Sequence, residues 1–130
     1  MRQAILTFLL TAVSQSATAA WFKVNANEIT SLYADPTSII RSNKTVKIRV
    51  LADKYKMTKT ADKRYLSLVI QVEYDCNEKA SRILDLTAYS KNMGKGKMIY
   101  TISEPDPKGK TPVSPESEDE ILWEYACSTQ

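Results

Sequence analysis

Apolar and polar residues largely alternate in the middle of the chain. Over residues 65–76, Leu66, Leu68, Ile70, Val72, Tyr74 and Cys76 share one parity, and Ser67, Gln71, Glu73 and Asp75 share the other. Successive side chains of a strand point to opposite faces, so this pattern predicts a β-strand with one face in a core and the other toward water. Residues 45–53 repeat it, with Val46, Ile48, Val50 and Ala52 set against Lys47, Arg49 and Asp53. The two segments are expected to pair with each other across the connection 54–64. Further strands are predicted at 21–25, 29–33, 80–89 and 98–103, with 38–41 either joined to its neighbour or separate. In 80–89 the apolar parity is Leu84, Leu86 and Ala88. Turn chemistry separates the segments. Asp35 and Pro36 favour a turn, Asn43 tolerates the left-handed backbone of a tight hairpin, and Gly94 and Gly96 supply positive angles before the last strand.

Residues 104–115 carry Pro105, Pro107, Pro112 and Pro115, which predicts an extended crossing that is neither a central strand nor a helix interior. A helix is expected over 115–127. Ser114 is placed to cap it, Pro115 suits its first position, and the acidic residues of 116–120 complement the positive end of the helix dipole. At 100° per residue, Leu122, Trp123, Ala126 and Cys127 share one arc, which would face the sheet if Cys127 bonds to it. Ile121 and Tyr125 then point elsewhere, either from an irregular last turn or as candidate dimer or partner contacts. The predicted fold class is α+β, mainly β: a six-stranded antiparallel meander, seven-stranded if 38–41 is separate, with one C-terminal helix.

The first twenty residues have a different character, with Arg2, an apolar run over 4–13, and the small residues Ser16, Ala17, Thr18, Ala19 and Ala20. The run is shorter than the ~20 residues a spanning helix needs, and small residues follow it, so 1–20 reads as a secretory signal peptide. Cleavage is expected after Ala19 or Ala20, leaving 21–130 as one domain with no integral membrane segment. No cysteine lies near the junction to accept a lipid anchor. Cys76 and Cys127 are the only cysteines, and an exported chain is expected to pair them.

Composition excludes more chemistry than it suggests. There is no histidine, so the usual general base near neutral pH and the commonest zinc ligand are both missing. The cysteines are too far apart for a close-spaced redox pair. Glu73, Asp75 and Asp85 read as strand exteriors rather than a carboxylate pair for hydrolysis. Lys91 to Lys97 has two glycines but not the spacing of a phosphate loop. No catalytic residue, metal or cofactor is expected. A net charge of +3, or +2 without Arg2, is too small to imply nucleic acid. The charge is unevenly placed, however, since Lys54, Lys56, Lys59, Lys63 and Arg64 crowd one connection. That connection is expected to be a charged loop or a pair of strand extensions; it reads first as a solvated segment kept charged against edge pairing, and it is also the candidate contact for an anionic partner.

In order along the chain, these features resemble those of the bacterial surface-adhesin protein E family. They are Trp21; Tyr33, Ala34 and Asp35 followed by Ser38, Ile39 and Arg41; the strand from Val46 to Ala52 leading to Asp53 and Tyr55; and Tyr65 and Ser67 with Glu73, Tyr74, Asp75 and Cys76. Arg82, Tyr89, Gly96, Pro112, Val113 and Cys127 follow. The resemblance implies a six-stranded antiparallel sheet with a C-terminal helix tied to it by a disulfide. It further implies a protein that binds host matrix and plasma proteins such as vitronectin and laminin and that can dimerise. The expected function is therefore a non-enzymatic exported binding protein, contacting host matrix or envelope components through the basic hairpin or an exposed sheet face. The alternative is a periplasmic structural or accessory subunit of an envelope assembly. The expected location is periplasmic or at the cell surface, without a lipid anchor.

Overall fold

The computed structural model describes residues 20–103 and 109–128; residues 1–19 of the expected signal peptide and 104–108 of the proline-rich crossing lie outside them. Strands β1 (Phe22–Ala26), β2 (Thr30–Ser42), β3 (Thr45–Thr60), β4 (Lys63–Asp75), β5 (Ala80–Tyr89) and β6 (Met98–Ile102) form one antiparallel sheet in chain order. The two-residue strand β7 (Thr111–Pro112) pairs with the start of β5, and helix α1 (Glu118–Ser128) ends the described chain. The meander and its C-terminal helix agree with the sequence reading. The seventh strand does not come from 38–41, which is continuous with 29–33 in β2. It comes from the proline-rich crossing, where Pro112 sits on a short edge segment that tolerates a missing N–H.

Even-numbered residues of β2, β3 and β4 build the core. Leu32, Ala34, Val46, Ile48, Val50, Ala52, Val72 and Tyr74 are buried together with Leu122 and Ala126 of α1. Register keeps this face intact, with Val50 opposite Ile70, Ile48 opposite Val72 and Val46 opposite Tyr74. A shift between Gln71 and Val72 then pairs Val72 with Ile83, so the apolar parity expected to run through Leu84 passes to Ile83. In β2 the expected turn at Asp35 and Pro36 is instead an irregularity inside one strand, because pairing with β3 lapses between Asp35 and Ile40. Proline is accommodated where no ladder bond is required of it. Asn43, with φ 56°, closes the tight β2–β3 turn as expected.

Helix α1 starts later than its sequence suggests. Ser117, not Ser114, is the cap: its Oγ accepts from Glu120 N at 3.1 Å and donates to Ser114 O at 2.7 Å. Glu116 has φ 59°, which no helix residue adopts, and this holds Pro115 outside the helix. Glu118, Asp119 and Glu120 fill the first turn, while Arg41 donates to Ala126 O near the opposite end at 3.4 Å. Cys127 is bonded to Cys76 just beyond β4, with Cα atoms 5.7 Å apart, so the helix is stapled to the strand it covers.

The polar parity of β4 is not the solvent face it was expected to be. Ser67 is 0 % exposed, and Glu73 and Asp75 are buried as well. Each has a partner on the second face of the sheet. Ser67 Oγ donates to Lys91 O at 2.6 Å and accepts from Gly94 N at 2.9 Å, because the short 3-10 turn Asn92–Gly94 folds over it. Arg82 pairs with Glu73 at 3.4 Å and Lys110 with Asp75 at 3.0 Å. Leu51, fully buried, and Val69 lie under the same turn; a side chain added at Gly94 would meet Val69 at 3.1 Å. The sheet is thus covered on both sides, by the helix on one and by turns and ion pairs on the other.

Candidate functional site: a basic ribbon beyond the sheet

The connection 54–64 is a hairpin that outruns its neighbours. Pairing of β2 with β3 stops at Thr30 opposite Lys54, and pairing of β4 with β5 stops at Ser67 opposite Tyr89. Past those points β3 and β4 pair only with each other, through Thr58–Tyr65, Lys59–Arg64 and Thr60–Lys63. Ala61, with φ 55°, turns the tip. Of the two expected forms, loop or strand extensions, the structure has the second. It lacks glycine and proline, and its β-branched threonines and Tyr55 suit extended backbone.

The five basic residues take different places on the ribbon. Lys54 belongs to its base, where Nζ donates to Thr30 Oγ1 at 2.9 Å. Lys63 stands 5.7 Å from the Tyr100 ring centroid, a cation–π contact. Lys56, Lys59 and Arg64 are exposed and have no ion-pair partner among the described residues. Lys59 and Arg64 are direct cross-strand partners, and like charges in that position repel. Asp62 is the one carboxylate within 54–64. Tyr55, noted in the sequence, is joined at the ribbon's base by Ile29 and Met57, and all three are more than half exposed. Tyr55 is held by its hydroxyl, 2.7 Å from Ser31 Oγ, and by its N–H to Ile29 O. Parity could not reveal this group, because the β3–β4 register shifts between Asp53 and Thr58.

The other candidates fall at the helix. Tyr125 stacks on Phe22 of β1 with ring centroids 6.0 Å apart and packs against the core. Ile121 is half-buried on the next face of α1. The polar groups around α1 are engaged structurally. Tyr74 donates its hydroxyl to Asp119 at 3.1 Å, and Ser81 donates to the other oxygen at 2.9 Å. Burial raises the Tyr74 phenol far above its ordinary range, and the Asp119 charge raises it further. Asp75 is held below the usual carboxylate range by the Glu78 amide, then by Lys110 and the Asn77 amide. Glu120 is lowered mainly by Lys79, 2.6 Å away. Such bonds tie turns and the helix to the sheet. Among the described residues no three His, Cys, Asp or Glu side chains gather as for a metal, and no helix is long and apolar enough to cross a membrane.

Comparison with solved structures gives the same architecture. Crystal form II of Haemophilus influenzae protein E superposes with a TM-score of 0.59 at 12% identity, covering 80% of this chain and 91% of that one. Protein E from non-typeable Haemophilus influenzae gives a TM-score of 0.57 at 12% identity, covering 87% of this chain and 78% of that one. At such identity the likeness concerns the fold. No curated protein matches the chain by sequence. The family described as Surface-adhesin protein E, by contrast, matches residues 21–128, nearly the whole described fold. The chain belongs to the surface-adhesin protein E family.

Proposed function

We propose that this chain is an exported, non-catalytic binding protein of the adhesin type that meets an anionic surface of a host matrix protein or envelope component with its basic ribbon. One observation carries the reading: Lys59 and Arg64 face each other across a two-stranded ribbon, and neither has an ion-pair partner among the described residues. A bound anion would remove a repulsion that the free protein bears. The ribbon also stands clear of the sheet, so a partner reaches both its strands. Family membership supports an adhesin role, and the exposed Ile29, Tyr55 and Met57 offer apolar contact beside the charges.

Lys59→Glu separates function from stability. Placing opposite charges across the ribbon should leave the fold as stable or stabilise it, by roughly 0.2–1 kcal/mol for a cross-strand pair. Binding should weaken. Surface plasmon resonance against immobilised vitronectin and laminin should show saturable, salt-sensitive binding by the exported protein, and a loss of about tenfold or more with Lys59→Glu and Arg64→Glu combined. Unchanged binding by a folded double variant would sink the proposal. Fractionation should place the mature chain outside the cytoplasm.

A further inference from the structure

The sheet face opposite α1 carries a second feature, unconnected with the ribbon's charge pair. A groove of about 410 Å³ lies between the start of β1 and the Asn92–Gly94 turn, within the ~300–1,000 Å³ typical of small-ligand clefts. Val69 and Met93 give it apolar surface, Trp21 and Tyr89 bring aromatic rings, and Arg49 and Lys95 bring two cations. The Arg49 guanidinium is 5.7 Å from the Trp21 ring centroid. No carboxylate lines the groove, and neither cation has an ion-pair partner among the described residues. Asp35, the cross-strand neighbour of Arg49, instead accepts at Oδ1 from the Thr37 N–H and hydroxyl.

The wall formed by the turn is held in place before any ligand arrives. Asp53 Oδ1 accepts from Met93 N at 2.9 Å and from Asn92 Nδ2 at 3.0 Å, and Ser67 ties Gly94 N and Lys91 O. Met93 itself has φ 59°, a left-handed conformation that a residue other than glycine adopts only under constraint. Gly96 cannot carry a side chain, since a Cβ there would come within 2.4 Å of Ser90 Oγ. The turn supplies Lys91, Lys95 and Lys97 and no acidic residue. A rigid wall, two aromatic rings and two cations without an ion-pair partner make a recognition site with a definite polarity.

We infer that this groove binds an anionic saccharide, a uronate-bearing or sulfated sugar residue, stacked on Trp21 or Tyr89 with its anionic group held by Arg49 and Lys95. The C–H face of a pyranose packs on an aromatic ring, and guanidinium and ammonium groups supply charge-assisted hydrogen bonds to carboxylate or sulfate. A neutral apolar ligand would leave both cations unmatched.

Calorimetric titration of the exported protein with a chondroitin sulfate tetrasaccharide, and with cellotetraose as the neutral counterpart, tests the site. The expected result is saturable one-to-one binding of the sulfated probe alone. It should be lost about tenfold or more with Arg49→Gln and Lys95→Gln combined, weakened by Trp21→Ala, and kept within about twofold by Lys59→Glu/Arg64→Glu. No binding by the wild type, equal binding of cellotetraose, or full binding by the Arg49/Lys95 variant would overturn the assignment. Loss of binding only in the Lys59/Arg64 variant would also overturn it and would assign the saccharide to the ribbon, leaving the proposed function in place. Circular dichroism of each variant confirms that the fold is intact.

Discussion

Removing the Cys76–Cys127 bond should cost the domain much of its stability and most of the docking of its helix. The bond closes a loop with a sequence separation of 51, for which the chain-entropy relation gives about 4 kcal/mol. Domains of this size are stable by only ~5–15 kcal/mol in total. An isolated helix of 11 residues is marginal in water, and only Leu122 and Ala126 are fully inserted. Its other ties are the Tyr125–Phe22 stack, the Lys79–Glu120 ion pair, and hydrogen bonds from Trp123 Nε1 to Asp75 O at 3.0 Å, from Tyr74 and Ser81 to Asp119, and from Arg41 to Ala126 O. Urea unfolding in a Trp21→Phe background, of the disulfide-bonded protein against Cys76→Ala/Cys127→Ala, followed by Trp123 fluorescence and far-ultraviolet circular dichroism, measures the effect. With a slope of about 2 kcal/mol per molar, the midpoint should fall by roughly 2 M. Trp123 should lose its signal no later than the sheet does. A midpoint unchanged within error would refute the reasoning, because packing alone would then hold the helix. Leu122→Ala, expected to cost ~2–5 kcal/mol, supplies the comparison.

Two further predictions concern pH. Tyr74 keeps its proton in the fold but loses it above pH ~10 when unfolded, so its contribution is complete below that pH and is lost as pH rises beyond it. Tyr74→Phe should lower stability in urea unfolding at pH 8 by roughly 1.5–3 kcal/mol, the worth of a bond to a charged acceptor, and flatten the decline above pH 10. Parallel declines in both proteins would count against it. Asp75 behaves in the opposite sense: its folded carboxyl is lowered, so its contribution is present above pH ~4 and is lost as pH falls through its folded value. Asp75→Asn should be less stable at pH 7 and lose less on acidification to pH 2 than the wild type; an unaltered acid profile in thermal melts would contradict this.

How far the sequence could be read differs from element to element. The core face of β4 was legible because alternation is a property of the extended backbone itself, and its even-numbered residues line the helix side of the sheet. The cysteine pair was legible from number and compartment. The helix face followed from 100° periodicity, and Leu122 and Ala126 are indeed inserted. Its start was misplaced by three residues, because Ser114 and Ser117 offer the same cap chemistry and only the positive φ of Glu116 separates them. The candidate ribbon was visible as charge, whereas its form depends on where β2 and β5 stop pairing.

The sequence by itself determined the antiparallel strands, the face that enters the core, the disulfide and the crowding of cations at one connection. These rest on local periodicity, composition and charge, which each residue carries wherever it lies. Tertiary structure alone decided that Ser67, Glu73 and Asp75 are buried, that Ile83 and not Leu84 pairs with Val72, and that Lys59 faces Arg64. It also decided that Trp21, Arg49, Tyr89 and Lys95 meet at one groove. The physical reason is common to all of these. A polar residue on a strand is exposed or enclosed according to what folds across it, and a one-residue shift in register reverses every side chain beyond it. The covering turn leaves only Leu51 and Val69, apolar residues on an otherwise polar parity, as its mark in the strands, and the shift leaves none.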